Sequence, residues 1–352
     1  MPAMMRPSVP PLAPQREPDF RNLLAVLERR RPDRPTLFEF FLNERLHEKL
    51  TGIPTDSLSS ALEFHLQKMW AFRNAGYDYY DILLPGFDFP AGPVEKRRTV
   101  SQNEGAVIRD RKSFQQYSWM DPDAADWALL DQVAHELPPG MQLIVYGPSG
   151  VLENAINLVG YEALCMLIVD DPDLAMDIFG EIGSRLERYY SIAARHPAVG
   201  ACISNDDWGF RTQTLFSPAG MRRFVFPWHK RIVQAIHAAG KPAILHSCGH
   251  FERVMDDIVN EMGYDARHSY EDTILPVEEA YERYHQRIAI LGGIDVDFVC
   301  RASPEEVYRR SKAMLERTRE RGAYALGTGN SVPEYVPDEG YFAMIRAALE
   351  EA

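Results

Sequence analysis

The chain has little cysteine, little net positive charge and no long apolar run. Four cysteines in 352 residues are too few for a disulfide scaffold, so we expect reduced thiols. The formal net charge of -13 argues against a nucleic-acid partner, which needs clustered Lys and Arg. No stretch reaches the roughly 18 to 20 apolar residues that cross a bilayer, and the start has no signal-peptide pattern. We therefore expect an acidic cytoplasmic enzyme with no membrane partner.

Short strand-like runs alternate with helical patterns along most of the chain. No Gly-x-Gly-x-x-Gly follows the first run, which disfavours a dinucleotide-binding fold. Alternation of this kind predicts parallel strands with helices outside them, and eight units favour closure into a barrel. The predicted strands are residues 36–41, 77–84, 142–147, 199–204, 242–246, 264–268, 288–292 and 323–327.

The helical patterns and the remaining segments complete the predicted organisation. Helices are predicted at 217–239 and 304–321, the second with Ser303 as its N-cap. Residues 1–18 read as a flexible arm rich in Pro and Arg. We therefore predict an α/β protein: a single (β/α)8 TIM-type barrel of residues 19–352, with an N-terminal extension. An insertion, about 85–134, lies between the second and third predicted strands.

The strongest chemical signal follows the fifth predicted strand. Active sites of such barrels lie at the carboxyl ends of the strands, where His246 and Cys248 stand two residues apart. Side chains two apart share a face of an extended chain, so both can bind one zinc ion. The competing interpretation is a hydrogen-bonded histidine beside a small buried cysteine. A catalytic zinc needs a third ligand, and the carboxylate candidates are Glu153, Asp206, Asp207 and Glu271.

Polar residues after other strands are further candidates. Asp206 and Asp207 are predicted catalytic residues together with His246, but adjacent carboxylates point in different directions. One would face the pocket while the other satisfies loop amides. For Asp295 the alternative to a binding role is a helix N-cap, and for the glycine-rich loop after the eighth strand it is a plain turn. The predicted substrate-binding residues are Glu153, Asn205, Glu271, Asp295, Thr328 and Asn330.

Several motifs, in order, resemble the uroporphyrinogen decarboxylase superfamily. The likeness covers roughly residues 35–350. The resemblance implies a TIM-type barrel, a homodimer, and one of two activities. One is cofactor-free decarboxylation of the acetate arms of uroporphyrinogen, and the other is methyl transfer between a corrinoid protein and a small acceptor. The motifs are Tyr146-Gly-Pro, Ser204-Asn-Asp-Asp-Trp-Gly, Phe226-Pro-Trp-His-Lys, Leu245-His-Ser-Cys-Gly, Leu291-Gly-Gly-Ile-Asp and Leu326-Gly-Thr-Gly-Asn.

The chain departs from the decarboxylases where those enzymes hold substrate carboxylates. They carry an arginine-rich stretch after the first strand, where this chain has Phe40-Phe-Leu-Asn-Glu-Arg-Leu with Arg45 as the arginine in that neighbourhood. They also tend to have a histidine where Thr328 stands and a serine where Asp207 stands. A substrate with many carboxylates would lack its arginine clamp. The resemblance therefore favours the methyltransferase branch.

Within that branch the resemblance leaves two acceptors open. His246-Ser-Cys248 resembles the His-x-Cys zinc motif of enzymes that activate a thiol, although their second cysteine is replaced by Thr328. Relatives that methylate tetrahydrofolate need no zinc and bind the pterin through amides and carboxylates, a task that suits Asp206 or Asp207 with Asn330. We therefore expect transfer between a methylcobamide on a corrinoid protein and a small acceptor, with tetrahydrofolate ahead of a thiol. The alternative is a carboxy-lyase for a small carboxylated substrate.

Overall fold

The computed structural model describes residues 6–93 and 102–350. Its centre is one sheet of seven parallel strands that lie side by side in chain order. Helices lie between successive strands, so the α/β class is confirmed and the arrangement is consistent with a TIM-like fold. The strands are β1 (Tyr79–Leu83), β2 (Gln142–Tyr146), β3 (Val199–Asn205), β4 (Ala243–His246), β5 (Ala266–His268), β6 (Ala289–Leu291) and β7 (Tyr324–Ala325).

The α-helices of the described residues precede, separate and follow these strands. Two π-helical segments, Met221–Val225 and Asp257–Met262, add to them. The helices are α1 (Phe20–Leu27), α2 (Glu44–Thr51), α3 (Ala61–Ala75), α4 (Arg111–Gln116), α5 (Trp127–His135), α6 (Val151–Val159), α7 (Tyr161–Asp170), α8 (Pro172–Ala193), α9 (Pro218–Gly220), α10 (Phe226–Ala238), α11 (Val277–Tyr284), α12 (Val296–Arg301), α13 (Pro304–Thr318) and α14 (Asp338–Leu349).

Local capping explains one predicted helix, and a proline explains the division of another. Ser303 caps α13 as predicted: its side chain accepts from the Glu306 N–H, and the Glu306 side chain bonds back to the Ser303 backbone. The predicted helix at 217–239 is divided instead into α9, a π-helical segment and α10. Pro227, near the start of α10, has no N–H to donate to the preceding turn, so the hydrogen-bond pattern changes there.

The first of the eight predicted strands, residues 36–41, is not a strand in the described part of the chain. Leu37 forms a single parallel bridge with Leu326, just beyond β7. No ladder joins the segment to β1 within the described ranges. Instead the Tyr79 hydroxyl accepts a hydrogen bond from the Glu39 N–H at 2.7 Å and donates to the Glu39 carbonyl at 2.5 Å. A side chain thus takes the backbone groups that a neighbouring strand would pair, and the sheet of the described residues has seven strands rather than eight.

The N-terminal segment lies against the body of the fold from Ser8 onward. The Ser8 N–H donates to the Thr51 carbonyl, and buried Arg16 donates to the carbonyls of Gly76 and Pro35. These bonds hold residues 8–16 beside α2 and α3. The predicted domain bounds remain a prediction, and residues 1–5 lie outside the described residues.

The predicted insertion contains two helices, α4 and α5. Residues 94–101, inside it, are among those that the structure does not describe. The predicted role of this segment as a rim or cover of the pocket stays a prediction. Among the described helices, none is by itself both long and apolar enough to cross a membrane, and α6 with α7 meets that test only as a pair bent by 98°.

Candidate active site

Three predicted residues meet at the carboxyl ends of β3 and β4. The ligand atoms of Asp207, His246 and Cys248 all lie within 4.8 Å of one another, and Cys248 Sγ is 4.0 Å from His246 Nε2. The Cys248 N–H donates to Asp207 Oδ1 at 2.8 Å, which ties the two loops together. We call these three residues the site cluster. It supplies one oxygen, one nitrogen and one sulfur atom, a donor set that suits zinc.

Asp206 and Asp207, adjacent in sequence, have different surroundings. Asp206 is fully buried and accepts hydrogen bonds from the backbone N–H groups of Leu152 and Glu153, both at 2.9 Å. Its other contact is His229 Nε2, at 2.8 Å. Asp206 therefore binds the N-terminus of α6, where unpaired N–H groups and the helix dipole favour a carboxylate. Asp207 is the aspartate that joins the site cluster.

Two side chains donate to the Cys248 sulfur. Asn330 Nδ2 lies 3.2 Å from Sγ and the Ser269 hydroxyl lies 3.4 Å from it. Ser269 follows β5 with φ of 89°, a left-handed conformation that non-glycine residues seldom adopt. Burial, followed by the nearby Asp207 charge, raises the pKa of Cys248 to about 12. The thiol would therefore ionise only beside a compensating cation such as a bound metal ion.

His246 is paired with a second histidine on the neighbouring strand. His246 Nδ1 and His268 Nδ1 are 2.8 Å apart, and both rings are buried. Burial lowers the pKa of His246 to about 4, although Asp207 opposes the shift. Burial and the neighbouring His246 lower the pKa of His268 well below its ordinary value. Both rings are therefore neutral near pH 7. Phe40 covers His246 on one side, with ring centres 4.5 Å apart.

Further carboxyl groups make the surroundings acidic. Burial, and then the charges of Asp206 and Asp207, raise the pKa of Glu153 to about 8, and the Gly150 N–H donates to this carboxyl group at 3.3 Å. Burial, followed by Asp295 and Asp207, raises the pKa of the half-buried Glu271. The two predicted residues therefore border the site cluster. In both, burial and nearby like charges disfavour the charged form.

Asn205 and Asn330 also border the cluster. Asn205 pairs with His246 in the register between β3 and β4, and its Oδ1 atom is buried without a hydrogen-bond partner among the described residues. Asn330 reaches the cluster through Cys248 and also lines a cavity of about 670 Å³ together with Glu271 and Tyr335. This cavity opens beside the site cluster and offers room for part of a small ligand.

Two predicted binding residues are occupied by structural hydrogen bonds instead. Asp295 caps α12 by accepting from the Phe298 N–H at 2.9 Å, and its second oxygen accepts from the Asp272 N–H at 2.8 Å. Thr328 is fully buried, and its N–H and hydroxyl donate to the Glu39 carboxyl group at 3.0 and 2.5 Å. The geometry at Asp295 matches the N-cap alternative that its sequence left open.

From the sequence, Glu39, His268 and Ser269 were given no catalytic, binding or metal-ligating role. Glu39 is fully buried, and burial raises its pKa to about 8. Its sequence signal was an acidic residue between two phenylalanines in a strand-like run, which implies a buried carboxyl group with a dedicated partner. His268 had the same signal as His246, an imidazole at a strand end. Nothing in the sequence indicated the strained backbone of Ser269.

Comparisons with known proteins agree with the fold. Residues 114–350 match the family model described as uroporphyrinogen decarboxylase (URO-D). A uroporphyrinogen decarboxylase from Myxococcus xanthus is 28% identical over 185 residues, 52% of this chain and 49% of that protein, so the match spans about half the length of this relative. A solved methyltransferase from Methanosarcina mazei superposes with a TM-score of 0.70 at 15% identity, covering 94% of this chain and 97% of that chain. Such low identity shows a shared fold alone.

Proposed function

We propose that this chain, which belongs to the uroporphyrinogen decarboxylase family, is a methyltransferase that moves a methyl group between a corrinoid protein and a small acceptor. The observation that carries the proposal is the site cluster of Asp207, His246 and Cys248, whose ligand atoms lie within 4.8 Å of one another. Decarboxylation without a cofactor has no use for such a donor set. The described residues also place no arginine side chain in hydrogen-bond contact with the cluster.

We propose a thiol as the acceptor, with the site cluster holding zinc. Asp207 supplies the third ligand that the sequence left undecided, and its carboxylate with the Cys248 thiolate would balance the charge of the ion. Bound zinc would lower the pKa of an acceptor thiol that takes the fourth position, as metal coordination generally does. This reverses our sequence-based order of acceptors, in which tetrahydrofolate came first.

The chain's own residues would bind and orient the acceptor for an in-line attack. The thiolate lone pair forms the new S–C bond while the Co–C bond of the methylcobamide breaks, and that bonding pair stays on cobalt. The thiol proton leaves before the attack, either to solvent or to the ionised form of Glu153, beside Asp207. The cavity lined by Glu271, Asn330 and Tyr335 would hold the remainder of the acceptor.

Tetrahydrofolate remains the second candidate because of Asn205. Its unpaired Oδ1 atom could accept from a pterin N–H group, and Asn330 could bind the opposite edge of the ring. The acidic surroundings oppose this acceptor, since a folate carries the carboxylates of its glutamate tail. A carboxy-lyase acting on a small carboxylated substrate meets the same objection.

The first experiment is metal analysis of the purified chain beside two cysteine variants. We expect about one zinc per chain, lost in Cys248→Ala and retained in Cys165→Ala, whose cysteine lies in α7 away from the cluster. Methyl transfer from free methylcobalamin is then measured with a thiol and with tetrahydrofolate. Transfer to the thiol that requires zinc supports the proposal. Zinc-free protein that methylates tetrahydrofolate would replace it with the second candidate, and decarboxylation without methyl transfer would overturn both.

A further inference from the structure

We propose that His268 is a positioning residue that fixes the tautomer of His246, so that the Nε2 atom of His246 is presented to the metal with its lone pair free. This inference rests on the proposed metal site. His268 itself would touch neither the metal ion nor the acceptor. It contacts His246 Nδ1, the ring nitrogen that faces away from the metal.

The argument begins with the contact between the two rings. His246 Nδ1 and His268 Nδ1 are 2.8 Å apart, a hydrogen-bond distance that requires one proton between the two nitrogen atoms. In a neutral imidazole one nitrogen carries the proton and the other accepts. If the shared proton is on His246 Nδ1, then His246 Nε2 is bare and faces Cys248 Sγ at 4.0 Å. If it is on His268 Nδ1, then His246 Nε2 is protonated and cannot bind a metal.

The far side of His268 favours the first alternative. Its Nε2 atom has no hydrogen-bond partner among the described residues, and the backbone carbonyl of Thr328, which can only accept, lies on that side across Gly292. A carbonyl in that position favours a proton on His268 Nε2. Its Nδ1 atom is then the acceptor, and His246 must donate.

Neighbouring residues hold the Thr328 carbonyl in that position. The Glu39 carboxyl group accepts from the N–H and the hydroxyl of Thr328, and the Gly293 N–H donates to its carbonyl at 2.8 Å. Gly292 leaves the approach open, since a Cβ atom there would lie 2.2 Å from the Thr328 oxygen and 3.1 Å from His268 Nε2. A chain of contacts thus runs from Glu39 to His246 behind the site cluster.

A second histidine also suits the charge of this site better than a carboxylate would. Histidine ligands usually donate their second N–H to a carboxylate, a carbonyl or water, and such partners affect metal affinity. Here Asp207 and Cys248 already supply two negative ligands, and Glu153 borders them. A neutral imidazole orients His246 without adding charge to an acidic, buried environment.

The test compares two variants of His268 with Zn²⁺ and Co²⁺ as probes. His268→Leu removes the acceptor, whereas the side-chain oxygen of His268→Asn can take the place of Nδ1. We expect zinc affinity, measured by competition with a chelating dye, to fall about 10- to 100-fold in His268→Leu. The Asn variant should stay close to the parent chain. The visible spectrum of bound Co²⁺ should change in the Leu variant and be restored in the Asn variant.

The imidazole ¹⁵N shifts of the metal-free parent chain provide a test that requires no stable variant. We expect a proton on His246 Nδ1 and on His268 Nε2, with His268→Asn used for assignment. The opposite pair of tautomers would overturn the inference, as would equal zinc affinity in the parent chain and a folded Leu variant. If the parent chain binds no zinc, the proposed metal site fails on its own, and the ¹⁵N shifts still decide whether His268 fixes the tautomer.

Discussion

The two sides of the sheet's carboxyl end use similar residues in different ways. At the ends of β3 and β4, the side chains of Asp207, His246 and Cys248 direct ligand atoms toward one another. After β6 and β7, the side chains of Asp295 and Thr328 are equally polar, yet their hydrogen-bonding groups are taken by a helix end and by Glu39. A polar residue at a strand end is therefore a good site candidate only if neighbouring groups do not already take its hydrogen-bonding atoms. At the ends of β3 and β4 these groups stay available for a metal ion.

The largest expected effect contrasts the two adjacent aspartates. Asp206→Ala should lower the free energy of unfolding by about 3 to 5 kcal/mol, because it leaves the N-terminus of α6 and the buried His229 without their acceptor. Asp207→Ala should change it by about 1 kcal/mol or less and reduce zinc binding instead. Urea unfolding and metal titration of both variants measure this. Equal destabilisation by the two changes would contradict the contrast between them.

Glu39 provides an effect of intermediate size on the side of β6 and β7. Burial raises its pKa from 4.5 to about 8, so the folded chain holds this proton more tightly than the unfolded chain. Its contribution to stability is full below about pH 4.5 and is lost as the pH rises to about 8. Relative to Glu39→Gln, the parent chain should lose about 2 to 4 kcal/mol between pH 5 and pH 8, given about 1.4 kcal/mol per pKa unit. Parallel pH profiles of unfolding for the two chains would show that Glu39 does not titrate in this way.

The smallest effect is expected at Asp295. Asp295→Ala removes the N-cap of α12 and should cost about 1 kcal/mol of stability. Zinc affinity should stay unchanged, because the carboxyl group has no place in the site cluster. Thermal unfolding and metal titration of the same sample test both statements. If Asp295→Ala also lost zinc binding, the contrast between the two sides of the sheet's carboxyl end would be wrong.

Much of the fold could be predicted from residue pattern alone. Six of the eight predicted strands contain an observed strand, and a seventh, residues 199–204, falls one residue short of the end of β3, because buried parallel strands are short apolar runs between helical patterns. The segment 36–41 has the same pattern, but its partner on one edge is the Tyr79 hydroxyl. Sequence pattern predicts which residues are extended. It does not predict whether a side chain will replace a neighbouring strand.

The sequence predicted which kinds of residue form the candidate site, but not all of the contacts between them. His246 and Cys248 were identifiable because their position at the end of β4 and their spacing are local properties. The choice of Asp207 over Asp206 depends on where α6 begins, and the α6 residues that bind Asp206 lie more than 50 positions earlier in the chain. The pairing of His246 with His268 depends on the register between β4 and β5. A local sequence motif gives no indication of such long-range contacts.

The edge of β1 that faces residues 36–41 is held by the Tyr79 hydroxyl instead of a backbone ladder. From β1 to β7, each strand is joined to the next by a backbone ladder. The edge of β1 toward residues 36–41 instead depends on one phenolic oxygen and on packing between Phe38 and Tyr79, whose ring centres are 5.5 Å apart. Local opening should therefore begin along this edge. Amide hydrogen exchange at Glu39 should be faster than in β2 or β3, and Glu39, at the far end of the contacts behind His246, would be the first group that such an opening exposes to water.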